Sequence, residues 1–178
     1  MELIDLTTWD RALHYQIFRN SAQPQYCVSF ELDITNFLTD GQPVVFDRIH
    51  TSFTYLNPDT ELFKVVNVGM KDTLEEYVAL AKRTEQNQKD YFTGPMGNDI
   101  FQFSAFPWVS FTHISHTDSG SRDNATPLFD WGRYFERDGR TLLPFSVQVH
   151  HSFVDGVHIG KLAKLLQDYL DCFCSTSV

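Results

Sequence analysis

Two histidines and an aspartate fall within six positions of one another in the segment His150-His151-Ser-Phe-Val-Asp155-Gly156. An alternating apolar run, Phe145-Ser-Val-Gln-Val149, precedes it, so a strand gives way to a turn where the titratable groups stand. Strand ends suit functional groups because the scaffold is rigid and the loop is open. Histidine is the side chain whose ordinary pKa fits general-base work near neutrality. Gly156 permits a tight turn into a following helix. The same residues also read as satisfied polar groups at a helix N-terminus, with Asp155 as the N-cap, and spacing alone does not choose between the two.

A metal centre is the weaker reading. Adjacent strand residues point to opposite faces, so His150 and His151 do not converge on one ion, and His113-x-x-His116 is out of phase in the same way. Cys172-x-Cys174 has no second pair to complete a site, and with Cys27 it reads as reduced thiol in a cytoplasmic protein. No metal is expected.

The elements that must position the motif follow from periodicity. Thr7-Thr8 before Trp9 predicts a helix to about Arg19, and residues 26–32 alternate as a half-buried strand. Strands are expected at Val44–Phe46, His50–Leu56, Leu62–Val66, Ile100–Phe103, Val109–Ser115 and Phe145–Val149, with Asn57-Pro58-Asp59 as a turn. Thr73-Leu-Glu-Glu76 is a capping-box pattern that opens a helix to about Gln88. Ile159, Leu162, Leu165, Leu166, Tyr169 and Leu170 stripe a C-terminal helix over Val157–Phe173. No repeat or linker divides the chain, which reads as one α/β or α+β domain over 1–178, a sheet with helices packed on it.

The 178 residues are enough for a real core, and 42% are hydrophobic, with 16 Phe. That composition excludes a disordered chain. The formal charge of −9, with no cluster of Lys or Arg, argues against nucleic acid as a partner. The start, Met1-Glu-Leu-Ile-Asp5, lacks the basic segment and apolar core of a signal peptide, and no apolar run approaches the ~20 residues that span a bilayer. No membrane partner is expected.

HHSFVDG resembles the HHxxxDG signature of chloramphenicol acetyltransferases, shared more distantly with the cores of dihydrolipoyl acyltransferases. Trp9-Asp-Arg11, Phe30-Glu-Leu-Asp-Ile-Thr35, Ser104-Ala-Phe-Pro-Trp108 and Leu142-Leu-Pro-Phe-Ser-Val-Gln-Val149 resemble segments of the first family in the same order. The resemblance covers nearly the whole chain, and Ser-Ala-x-Pro-Trp with Trp-x-Arg favours that family over the second. It implies a two-layer sandwich with a mixed sheet, the fold of CoA-dependent acyltransferases. It implies direct acetyl transfer from acetyl-CoA to a hydroxyl of chloramphenicol, an antibiotic-inactivating reaction. His151 would be the general base, and Ser104 the donor to the oxyanion. Asp155, paired with Arg11, would fix the local backbone and so the histidine. A preorganised oxyanion donor is worth ~3–4 kcal/mol in comparable systems.

By position, the resemblance places Phe18, Tyr26 and Phe92 near the antibiotic, in a site expected to be aromatic with few polar groups. It places Trp108 and Tyr134 near the coenzyme, and leaves open which of Lys64, Arg133, Lys161 and Lys164 meets its phosphates. Most of the Phe residues are better explained as core. A homotrimer with active sites between subunits is implied. The resemblance breaks once: in the family, Asp-Ile-Thr begins a long apolar helix and then a strand, whereas here Asp40-Gly41 follows almost at once. A lost core helix would expose apolar sheet at ~25 cal/mol per Å². The alternatives are a related acyltransferase with another hydroxyl or thiol acceptor, or an inactive, truncated binding protein.

Overall fold

The computed structural model describes residues 2–5, 36–39, 42–92, 97–116 and 124–175. Arg11, Phe18, Tyr26 and Cys27, the helix expected from Thr7 and the strand expected over 26–32 lie outside them. In chain order the elements are β1 (Glu2–Asp5), β2 (Asn36–Thr39), β3 (Gln42–Val45), β4 (His50–Leu56), β5 (Phe63–Val68), α1 (Leu74–Asn87), β6 (Ile100–Phe106), β7 (Leu128–Gly132), β8 (Phe135–Arg137), β9 (Arg140–Gln148) and α2 (Gly156–Ser175). A seven-stranded mixed sheet runs β1-β9-β7-β6-β4-β5, with β8 also paired to β9. The pairs β4–β6 and β6–β7 are parallel, and the remaining pairs are antiparallel.

Register partners in a sheet share a face, so the sequence of each strand divides between two sides. On one side Phe53, Phe103, Phe129 and Val147 stand in a row, and Trp131 is opposite Phe145. Phe103 and Phe129 stack with ring centroids 5.1 Å apart, and Phe101 meets Phe129 edge-on at 5.6 Å. Both helices cover this side. α1 lays Tyr77 and Leu80 among Val66, Val68, Phe53 and Tyr55, and α2 packs Leu166, Tyr169 and Leu170 with Leu143 and Phe145.

The capping pattern read at Thr73 is the N-cap of α1: its side-chain oxygen accepts from the Glu76 N–H at 3.2 Å. Inside, the Tyr77 hydroxyl and Thr51 Oγ1 are hydrogen-bonded at 2.6 Å, and burial raises the tyrosine pKa. The two helices and β4 lie close to where periodicity puts them.

Several segments differ from the sequence reading. Val109–Ser115 is not a strand: the Val109 carbonyl accepts from Arg133 N–H at 2.8 Å, and this segment crosses Gly132 instead of entering the sheet. A Cβ at Gly132 would stand 2.7 Å from that carbonyl, so the close approach needs glycine. The strands β7 and β8 carry no sequence signal, because Leu-Phe-Asp-Trp-Gly puts an aspartate and a glycine where a buried strand has apolar residues. Finally, Asn36–Thr39 is a strand that the sequence reading does not contain. It pairs antiparallel with Gln42–Val45.

Candidate active site

The side of the sheet away from the helices is polar. Ser52, Gln102, Leu128 and Gln148 are consecutive register partners across four strands, and Ser104, Asp130 and Ser146 follow one step along. Over these residues lies a cavity of about 330 Å³, which Ser104, Gln102, Gln148, Thr54, Asn124 and His116 help to line. Asp130 is fully buried between Ser104 and Ser146. Its Oδ2 accepts from His116 Nε2 at 2.9 Å, while its Oδ1 has no hydrogen-bond partner among the described residues. Desolvation raises the Asp130 carboxyl pKa, and the neighbouring imidazole draws it partly back.

The HHSFVDG segment forms a compact turn between β9 and α2. The His150 carbonyl accepts from Phe153 N–H at 3.0 Å and from Val154 N–H at 3.2 Å, which reverses the chain. Asp155 stands at the N-cap position of α2, its carbonyl accepting from His158 and Ile159 N–H. Its own N–H donates to His158 Nδ1 at 2.9 Å, so a histidine takes the part that Glu or Gln plays in a capping box. The His151 side chain is 89% exposed. Its Nδ1 faces two acceptors, the Val154 carbonyl at 3.4 Å and Asp155 Oδ1 at 3.5 Å. Both favour a proton on Nδ1, which leaves Nε2 as the open acceptor.

A family model described as chloramphenicol acetyltransferase matches residues 37–167. A chloramphenicol acetyltransferase of Streptomyces acrimycini is 31% identical, over 94% of this chain and 93% of its own length. One from Proteus mirabilis is 26% identical over 97% and 95%. The chain belongs to the chloramphenicol acetyltransferase family. Among solved structures, a chloramphenicol acetyltransferase superposes with a TM-score of 0.67 at 21% identity, covering 78% of this chain and 69% of that one. A truncated catalytic core of the 2-oxoacid dehydrogenase multienzyme complex from Thermoplasma acidophilum shares the fold, with a TM-score of 0.55 at 13% identity, over 96% and 84%.

The structure does not bring Ser104 and His151 together within one chain. They are separated by β7, which puts β6 and β9 about 10 Å apart, and His151 lies beyond the end of β9, outside the cavity lining. Trp108 and Phe92 are exposed at 63% and 64%, and Tyr134 packs against Leu170 under α2. Two of the four basic residues already have partners. Lys64 donates to the Glu85 and Gln88 carbonyls at the end of α1, and Lys164 pairs with Asp168. Among the described residues, no group of three or more His, Cys, Asp or Glu could hold a metal ion, and no helix is long and apolar enough to cross a membrane.

Hydroxyl and amide side chains make up most of the lining of the Ser104 cavity, while Phe18 and Tyr26, expected near the antibiotic, lie outside the described residues. The rings of Phe101, Phe103, Phe129 and Phe145 contact one another on the helix side instead. By spacing alone His116 reads only as an out-of-phase metal ligand, and Asp130 carries no sequence signal. Their pairing spans 14 residues and left no local signal.

Proposed function

We propose that this chain transfers the acetyl group of acetyl-CoA to a hydroxyl of chloramphenicol. The observation that carries the reading is the state of His151, whose Nδ1 is engaged and whose Nε2 is open to an incoming hydroxyl. The acceptor oxygen attacks the thioester carbonyl carbon as His151 Nε2 takes the hydroxyl proton. Negative charge then collects on the former carbonyl oxygen, where the Ser104 hydroxyl donates a hydrogen bond. Collapse of this intermediate breaks the carbon–sulfur bond, and the proton on His151 passes to the departing thiolate. Asp155 positions the imidazole through the turn and through its carboxylate. The relatives' names and the match over most of the chain support the choice of substrates.

The site is completed in this reading by a second subunit of a homotrimer, whose His151 turn faces the Ser104 cavity of its neighbour. The strong exposure of His151 and its absence from the cavity lining support that arrangement. Phe18, Tyr26 and Phe92 belong to the antibiotic's surroundings and Trp108 and Tyr134 to the coenzyme's, in a cytoplasmic enzyme whose Arg11 braces Asp155.

A further part of the reading is that the helix and strand that follow Asp-Ile-Thr in the family are missing here. The Streptomyces acrimycini match supports it: 94% of 178 residues, about 167, are aligned over 206 positions, so about 39 positions have no residue of this chain. So does the helix side of the sheet, where Phe101, Phe103 and Trp131 stay half-buried.

Thiol release from acetyl-CoA in the presence of chloramphenicol tests the proposal, with His151→Ala as its control. Turnover by a trimer, lowered about 10⁴-fold in the variant, is the expected result. A monomer that releases no thiol with chloramphenicol overturns it.

A further inference from the structure

The His116–Asp130 pair has no part in the mechanism above, yet it sits beside Ser104. Asp130 occupies the centre of the sheet, with β7 flanked by β6 and β9, and it is fully buried. A buried carboxylate is unfavourable unless partnered, and one of its two oxygens has no partner among the described residues. A serine there would continue the Ser104–Ser146 row without that penalty, so the carboxylate calls for a role in what it does to His116.

That effect follows from hydrogen-bond chemistry. A carboxylate can only accept, so the neutral imidazole of His116 must carry its proton on Nε2, and Nδ1 is left as an acceptor. This is the reverse of His151, where Nδ1 is engaged and Nε2 is open. His116 lines the Ser104 cavity and its side chain is 31% exposed, so a ligand in the cavity can reach it. Among the described residues no hydrogen bond joins His116 to Ser104, so the three residues do not form a nucleophilic triad. An imidazole fixed as an acceptor in a cavity of hydroxyls and amides suits a hydrogen-bond donor on the bound molecule.

We propose that His116, held by Asp130, is a specificity-determining contact to the acceptor: its Nδ1 accepts from a hydroxyl other than the one that is acetylated. The inference rests on the reading of the Ser104 cavity as the acceptor's site. It assigns the acceptor class as molecules carrying at least two hydroxyls, of which one reacts and one is recognised. Asp130 is a positioning residue that fixes the tautomer.

The test compares chloramphenicol with an analogue lacking the hydroxyl that is not acetylated. Wild-type protein should show a KM about tenfold lower for chloramphenicol, the effect of one hydrogen bond to a buried acceptor. His116→Ala should erase that preference by raising the chloramphenicol KM, with kcat for both compounds changed less than about threefold. Asp130→Asn should erase it too, while long-range ¹⁵N–¹H spectra show the His116 proton moved from Nε2 to Nδ1. A preference that survives in His116→Ala, or an Nδ1–H tautomer in wild type, overturns the proposal. If wild type transfers acetyl to neither compound, the functional reading fails by itself, and calorimetric binding of the same two compounds then decides the inference. Tighter chloramphenicol binding in wild type but not in His116→Ala supports it, and equal or undetectable binding of the two overturns it.

Discussion

On the helix side of the sheet, Phe103 stacks on Phe129 at 5.1 Å and Phe129 on Phe145 at 6.3 Å, whereas the alternate residues of the same strands are Gln102, Ser104, Asp130 and Ser146. One set of backbones therefore builds two unlike surfaces, because side chains alternate with a period of two. The aromatic side is held by helices and gains its stability from buried area and ring contacts. The polar side carries a buried carboxylate with one oxygen unpaired among the described residues, an arrangement that weakens the fold. The difference sets a side that stabilises the fold against one that carries the chemistry in the proposed reading.

Substitutions on the two sides should separate accordingly. Phe129→Ala removes a ring that is 6% exposed and meets three others, and should lower stability by about 3–5 kcal/mol in urea unfolding. A loss below about 1 kcal/mol would break the assignment of stability to that side. Ser104→Ala should lower kcat about 10²–10³-fold, roughly 3 kcal/mol of transition-state stabilisation, with little change in the unfolding midpoint. A folded variant with unchanged kcat would remove Ser104 from the reaction.

Asp130→Asn sharpens the comparison through pH. Burial raises the Asp130 carboxyl above its ordinary 3.8, so the folded state holds this proton more tightly than the unfolded chain does. The contribution to stability is full below the unfolded pKa and is lost as pH rises through the folded value. Asparagine has no proton to lose, so the stability of the variant relative to wild type should climb over that window. Parallel stability–pH curves for the two proteins would contradict it. Lys164→Ala, in an exposed pair with Asp168 on α2, should change stability by less than about 1 kcal/mol. As a residue on neither side of the sheet, it sets the baseline for the others.

Much of the frame was legible before any coordinates. Thr73 and the carboxylates after it marked the start of α1, the apolar stripe from Ile159 to Leu170 marked α2, and alternation marked β4. Val109–Ser115 alternates just as well and is no strand, since alternation says that a segment suits a sheet without supplying a neighbour to pair with. Leu128–Gly132 fails the pattern and is nonetheless a central strand, because Asp130 is tolerated through its bond to His116 and Gly132 is needed where Val109 crosses.

Within the site the division is similar. The turn at His150–Gly156, its reach from strand to helix and the N-cap position of Asp155 are local matters, decided within a few residues by the hydrogen bonds of the backbone. The sequence by itself determined those, together with the family resemblance that the comparisons bear out. Only the tertiary structure decided that Ser104 lies opposite Asp130, that Asp130 holds His116, and that His151 stands apart from both. Strand register and the path of a loop depend on packing between distant segments, and no residue's type or spacing encodes its partner across the sheet.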